Sequence, residues 1–363
     1  MLDRIIGEDE ACLVTPDTMI PANRLQPHTV RIYRLEEHVV TEEVSAARRL
    51  LSPLRFDLFA KLYYIRNRRQ NRQNALKVYK EHIKAFNPDL KEPGRSDKVG
   101  YEDFISSFDC LIDCFEANDF DPSLSLVPVT DDNVILDGAH RVAALAYYDK
   151  NVGIARCYGV VPKAAFDYVY FKNRGLSWEV MDLTANEMVH YLPHVYAACI
   201  WPKVSDKSVA MSLIRKRFDI VYDRSFKVTY ASLSKLIAEV YKNQSWTRNP
   251  DSLTDKTLQC FGFDREITFI FFVADNPQDV QFVKEAIRDM YGFGKHSVHI
   301  TDNRDESQAI SECVLVAGER EKWLAQSMTG TLLTKLSERW FYFKKVQLIN
   351  FKVAVAGLLR IGR

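Results

Sequence analysis

Between residues 124 and 161 the chain alternates short apolar segments with sharp polar breaks. Residues 124–129 and 134–136 are apolar, separated by Thr130-Asp131-Asp132-Asn133, and predict strand, turn, strand. Residues 141–149 contain neither Gly nor Pro and suit a short helix. Asn151-Val152-Gly153 then breaks the pattern, and 154–161 reads as a further strand. The stretch is thus strand, tight turn at Gly138, helix, strand. Upstream, 55–86 is also free of Gly and Pro. Leu58, Leu62 and Ile65, then Leu76, Tyr79 and Ile83, recur at the spacing of a buried helical stripe. A basic run, Arg66-Asn67-Arg68-Arg69-Gln70-Asn71-Arg72, interrupts that stripe; it is either a solvated face or a receiver for an anionic substrate or membrane surface.

Glu36, Glu37, Glu42 and Glu43 suit the solvated face of a helix, and 87–100 is a turn-rich loop carrying Glu92 and Lys98, placed to cover a pocket. Residues 101–118 are helical, with Phe104, Phe108, Leu111, Ile112 and Phe115 on one side. Helices are expected over 178–191 and 226–241, and a linker-like loop over 243–255. From Glu266 the order becomes strand (267–273), helix (277–290), turn (291–295), strand (297–301), helix (306–316). Asn276 before Pro277 and Asn303 with Glu306 are helix-start signals. The unbroken apolar run from Ile267 to Val273 suits a strand covered on both faces. The expected fold class is α/β (α+β): an N-terminal domain over 1–165 with a helical insertion at about 50–118, a helical connector over 166–255, and a smaller C-terminal α/β domain over 256–363.

A chain of 363 residues has room for two domains, and 47% hydrophobic with 27% charged residues is ordinary globular composition. A formal net charge of +1 offers no general attraction to nucleic acid, so no nucleic-acid partner is expected. The seven cysteines include no CxxC pair, which argues against a zinc site and a disulfide framework. Cys110 and Cys114, four apart on an amphipathic stretch, are expected to be core-facing thiols. No apolar run approaches the ~20 residues of a transmembrane span, and Met1-Leu2-Asp3-Arg4 lacks a signal-peptide shape. A cytoplasmic location is the expectation.

Candidate chemistry centres on Asp137-Gly138-Ala139-His140-Arg141. Gly138 tolerates backbone angles that other residues avoid, and the first N–H groups of the following helix lack intrahelical acceptors. With His140 and Arg141 on that first turn, the place suits a phosphate.

The string resembles the signature of the ParB/sulfiredoxin-like superfamily over roughly residues 120–162, with an echo in Met19-Ile20-Pro21-Ala22-Asn23-Arg24-Leu25-Gln26-Pro27-His28. Sulfiredoxins carry a nucleophilic Cys where this chain has Ala139, which argues against sulfinic acid reduction. The free serine kinases of the superfamily carry Asp-Gly-His-His-Arg, the nearer match. That resemblance implies ATP or another nucleoside triphosphate with Mg²⁺, bound by Gly138, Ala139, His140 and Arg141. Asp137 would hold the metal or take the acceptor proton. The kinases place a Glu after the equivalent of His28, and this chain has Thr29 there. Arg55-Phe56-Asp57, Lys61 and Tyr79-Lys80-Glu81-His82-Ile83 also resemble proteins of bacterial surface-polysaccharide loci, which implies a sugar or glycan-precursor acceptor. The expected activity is a kinase transferring phosphate to a hydroxyl of a small metabolite or glycan precursor. A ParB-like nucleotide-binding switch and a nucleic-acid-binding protein are the alternatives.

A second candidate site lies at Gly294-Lys295-His296-Ser297-Val298-His299-Ile300-Thr301-Asp302. Strand alternation places Ser297, His299 and Thr301 on one face. With Lys295 and Asp302 they form a candidate holder for a phosphorylated sugar or lipid head group.

Overall fold

A computed structural model describes residues 24–92 and 98–324. Met19 to Asn23 and everything after Leu324 lie outside the described residues. In chain order, the first elements are α1 (Pro27–Tyr33), β1 (Val40–Ala46), α2 (Phe56–Asn67), α3 (Arg72–Phe86), α4 (Tyr101–Ala117), β2 (Val127–Val129), α5 (Ala139–Tyr147) and β3 (Asn151–Cys157). They are followed by α6 (Tyr168–Asn173), α7 (Trp178–Tyr191), β4 (Val195–Ile200), α8 (Ser208–Arg217), β5 (Asp219–Lys227), α9 (Tyr230–Val240) and α10 (Pro250–Cys260). The last described are β6 (Glu266–Val273), α11 (Pro277–Tyr291), β7 (Val298–Ile300), α12 (Arg304–Leu315) and α13 (Ala317–Leu324). The architecture is mixed α/β, with two small sheets. The chain divides into two compact units: unit 1 is Met1–Lys61 with Asn87–Ala165, and unit 2 is Leu62–Phe86 with Phe166–Arg363.

Unit 1 is organised on a three-stranded sheet in the order β1-β3-β2. β3 runs antiparallel to β1, from Val40 opposite Cys157 to Ala46 opposite Asn151, and parallel to β2, with Val127 opposite Ile154. The acidic Glu42 and Glu43 therefore stand on a strand, not on the helix face expected of them. Each is neutralised: Arg24 forks onto Glu42 (2.9 Å from Nη1) and Arg156 onto Glu43 (2.9 and 3.0 Å). The chain also turns earlier than expected after α5. Asp149 takes a left-handed φ of 56°, and the Lys150 N–H returns to the Leu145 carbonyl at 2.9 Å, so β3 starts at Asn151. Gly153 lies within that strand, at a position where a Cβ would stand 2.6 Å from Pro122 Cβ. The core beneath gathers Leu25, Leu35, Val40, Leu126, Ala155, Cys157 and Val160.

α4 buries Phe104, Phe108, Ile112 and Phe115, as its spacing predicts. Cys110 and Cys114 are exposed, not core-facing. They fall away from the stripe that Phe104, Phe108, Ile112 and Phe115 bury on the same helix.

Unit 2 is the larger of the two, not the smaller. Its four strands form a fully antiparallel sheet in the order β5-β6-β4-β7. Residues 166–255 are accordingly no connector: they supply β4, whose six residues are all buried, and β5. A register shift between Ile220 and Tyr222 lets β5 bury Val221 and Tyr222 in succession. β6, as expected, is covered on both faces. On one face, Ala210 and Ile214 of α8 and Val280, Val283 and Ile287 of α11 pack on Ala198, Ile270, Phe272 and Ile300. On the other lie α7 and α12. The last part of the expected loop at 243–255 is the start of α10, capped by Asn249, whose Oδ1 accepts from the Asp251 and Ser252 N–H groups. The stretch 55–86 is two helices parted within the basic run, and α3 belongs to unit 2. There Arg66 pairs with the buried Glu187.

Candidate functional site

The Gly138 turn is built by the hairpin before it. The Thr130 N–H donates to Val134 O (3.0 Å), and the Leu136 N–H to Pro128 O (2.8 Å), with Asn133 in the left-handed region at φ 62°. The hairpin delivers the chain to Gly138, itself left-handed at φ 83°, ψ 24°. Gly138 is the residue from which α5 springs, and no side chain caps that helix start. The first-turn N–H groups are those that helix geometry leaves without intrahelical partners.

Arg141 folds back across the glycine. A Cβ at position 138 would sit 2.8 Å from Arg141 Nη2, 3.1 Å from its Nε and 3.1 Å from Val127 Cγ2. The guanidinium donates to Leu126 O at 3.3 Å and stands 3.9 Å from Asp137 Oδ2. Burial lowers its pKa, and the negative charges of Asp137 and Glu92 oppose that shift. Glycine is required here for two reasons: the backbone angle, and the space the guanidinium occupies. His140 packs edge-on against the Phe108 ring of α4, centroids 4.7 Å apart.

A buried charge network adjoins the turn. The Arg55 guanidinium forks onto Asp57 (2.8 and 2.9 Å) and donates to Ile135 O at 2.5 Å, two residues before Asp137. Lys61 Nζ donates to Asp57 Oδ2 at 3.1 Å. Burial pushes the Lys61 pKa down, and the positive charges of Arg55 and Lys98 push it the same way against the pull of Asp57. Lys98 pairs with Glu92 at 2.7 Å and lies over the Phe104 ring at 4.8 Å. Glu92 and Lys98 face each other across a short antiparallel pairing of Lys91 with Val99. Among the described residues, Arg55, Lys61, Lys98 and Arg141 thus gather with Asp57, Glu92 and Asp137, and Arg55, Asp57, Lys61 and Lys98 are all buried. Cations held out of water beside a helix start are suited to receive an anion.

Of the residues singled out in the sequence, Asp137, Gly138, Ala139, His140 and Arg141 stand together at this turn. Arg55, Asp57 and Lys61 join them through Ile135, and the loop pair Glu92 and Lys98 closes the set electrostatically. Tyr79 and His82 do not join: they are buried on α3 in unit 2, where the His82 ring lies 5.4 Å from Phe171. Thr29 is buried on α1. Among the described residues, no cluster of three or more His, Cys, Asp or Glu is placed to hold a metal, and no helix is long and apolar enough to cross a membrane.

The second candidate string divides. Lys295, His299 and Asp302 line a cleft of about 800 Å³ in unit 2. Ser297 and Thr301 do not. The Ser297 hydroxyl closes its own turn by donating to Gly294 O at 2.6 Å. Thr301 Oγ1 accepts from the Ala197 N–H at 2.9 Å and pairs with Ser307 at 2.8 Å. β7 is only three residues long, so strand alternation does not extend to either hydroxyl.

No protein-family model matches the chain, and no curated protein matches it. What the two places do must be read from their own chemistry.

Proposed function

We propose that unit 1 carries the active site of a nucleotide-dependent phosphotransferase. It would move a phosphoryl group from ATP to a hydroxyl of a small metabolite or glycan precursor. The observation that supports this best is the gathering of Arg55, Lys61, Lys98 and Arg141 around the uncapped start of α5, with Arg141 laid over Gly138. Phosphoryl transfer asks a protein mainly to position phosphates and neutralise their charge. First-turn N–H groups and the forked guanidinium of Arg141 are suited to grip the phosphates. His140 donates to a phosphate oxygen, and the buried lysines act where the effective dielectric is low.

Mg²⁺ that arrives with a nucleotide needs only one or two carboxylates beside phosphate oxygens and water. Asp137, the part-exposed carboxylate next to the glycine, fits that need; the ion would neutralise phosphate charge. When Asp137 instead serves as base, the acceptor hydroxyl proton passes to its carboxylate as the oxygen bonds phosphorus and the nucleoside diphosphate leaves. A sugar or glycan precursor stands among the acceptors because Arg55, Asp57 and Lys61, which carry part of the likeness to surface-polysaccharide proteins, lie in the same network.

Thr29 favours a second reading. Where the serine kinases carry Glu, this chain has a buried threonine without a carboxylate, as suits a nucleotide-binding switch that does no chemistry. Incubation with Mg²⁺ and each nucleoside triphosphate, beside Arg141→Ala, separates the two. ATP turnover that falls on the order of ten- to a hundredfold in Arg141→Ala is expected, the loss of one charge-assisted contact. Binding without turnover selects the switch. Neither binding nor turnover by folded protein refutes both.

A further inference from the structure

The charge distribution of the cleft in unit 2 is uneven. Lys256 and Lys284 are buried, with Arg288 about one-fifth exposed beside them, while Asp255, Asp302 and Asp305 are exposed. Lys284 is neutralised by Asp302 at 2.6 Å, and Arg288 by Glu285 at 2.9 Å through one nitrogen only. Arg288 Nε is buried with no hydrogen-bond partner.

Lys256 has no carboxylate partner among the described residues. Its ammonium donates to the Lys295 carbonyl at 2.8 Å, hydrogen-bonds the Cys260 thiol, which burial keeps protonated, and lies over the Trp201 and Tyr241 rings, 5.7 and 5.5 Å away. Lys295, beside it at the rim, also lacks an acidic partner among the described residues. Burying an ammonium without a counter-charge is costly, and ring faces offset only part of that cost. The field of these cations is felt by both histidines. Burial, then Lys284 and Lys256, push His299 down to about 3. Burial, Lys256, Lys295 and Lys203 push His296 down to about 4. Both imidazoles are neutral at pH 7 and able to donate and accept hydrogen bonds.

The rest of the lining differs. Tyr241 meets His299 edge-on at 4.9 Å and Trp246 at 5.2 Å, a wall for the face of a ring. Asp255, Asp305 and Glu306 supply acceptors for hydroxyl groups. The two parts ask for different ends of one ligand, one anionic and one rich in hydroxyls.

We propose that this cleft binds a phosphorylated sugar or polyol, its phosphate on Lys256, Arg288 and Lys295 and its hydroxyls toward His299 and the rim carboxylates. Such an ester has two sources, a soluble sugar phosphate or an inositol-phosphate lipid headgroup, and the same contacts serve both.

The test titrates the full chain with glucose 6-phosphate, inositol 1-phosphate, glucose and inorganic phosphate by calorimetry. Phosphatidylcholine vesicles with and without phosphatidylinositol 4-phosphate form a separate arm. Lys295→Ala, at an exposed position, and Lys256→Met, which keeps the volume and removes the buried charge, are compared with wild type, with folding checked by circular dichroism. Binding of at least one phosphate ester over its unphosphorylated parent, weakened tenfold or more by both substitutions and unchanged in Arg141→Ala, is expected. Binding only to the phosphoinositide vesicles, with the same sensitivity, supports the proposal and assigns the lipid source. Equal response to glucose and glucose 6-phosphate, ester binding indifferent to both lysine variants, or no binding in either arm overturns it. Lys295→Ala keeps the result decisive should Lys256→Met fail to fold.

Discussion

Gly138→Ala tests the geometry of the turn without removing any charged group. The alanine would have to adopt φ near 83°, the left-handed region, which costs an L-residue about 1–2 kcal/mol. Its Cβ would also stand 2.8 Å from Arg141 Nη2 and 3.1 Å from Val127 Cγ2. The guanidinium is the far end of a flexible side chain, so it yields at little cost in stability but leaves its place over the turn. A loss of about 1 kcal/mol, and hence a Tm lower by about 3 °C, is expected. Nucleotide affinity should fall much further than that modest destabilisation suggests, on the order of tenfold or more, because a charge-assisted contact is displaced. Gly175→Ala is the control: its φ is 77°, but no atom lies within 4 Å of the added Cβ. It should show the backbone strain and leave nucleotide binding intact. Combining Gly138→Ala with Arg141→Ala should weaken binding no more than Arg141→Ala alone, since both remove the same interaction. Calorimetric titration with ATP and Mg²⁺ reads the wild type and all four variants. Wild-type affinity in Gly138→Ala, or fully additive losses in the double variant, would refute the role given to Arg141.

Two further outcomes follow from buried charges. Asp57→Ala strands Arg55 and Lys61 without their shared carboxylate and should destabilise the protein by about 3–5 kcal/mol; urea unfolding checks this, and a loss below 1 kcal/mol would contradict the network. Glu187, fully buried beside Arg66, has its pKa raised from 4.5 to about 7 by burial. A carboxyl whose folded pKa is raised favours the folded state while protonated, so this contribution is complete below about pH 4.5 and is lost as the pH rises to about 7. The loss is on the order of 3 kcal/mol. Glu187→Gln should therefore be more stable than wild type at pH 8 and nearly equal to it at pH 4.5 in denaturant titrations; the reverse order at pH 8 would reject the assignment.

Features resting on local chemistry were legible in the chain. α4, α11 and α12 follow from apolar spacing and from caps by Asn276 and Asn303, each accepting a backbone N–H as expected. The Gly138 turn belongs with them, because a left-handed residue between a strand and a helix leaves few choices but glycine. β1 was not legible: its acidic residues look solvated until Arg24 and Arg156, 18 and 113 positions away, are brought against them. Nor was β4, since a short apolar run of six residues suits a buried strand or a piece of helix equally. Its partners β6 and β7 lie far downstream.

The sequence by itself determined the turn at Gly138, the starts of α11 and α12, and that one glycine would stand beside a histidine and an arginine. Those outcomes depend on interactions spanning a few residues. Only the tertiary structure decided that Arg55, Asp57, Lys61, Glu92 and Lys98 share that neighbourhood, and that Ser297 and Thr301 turn away from the cleft which Lys295, His299 and Asp302 line. Charge in a folded protein acts through space and through exclusion of water. The sequence lists the charges, but burial decides which stay uncompensated, and burial exists only once distant segments have packed.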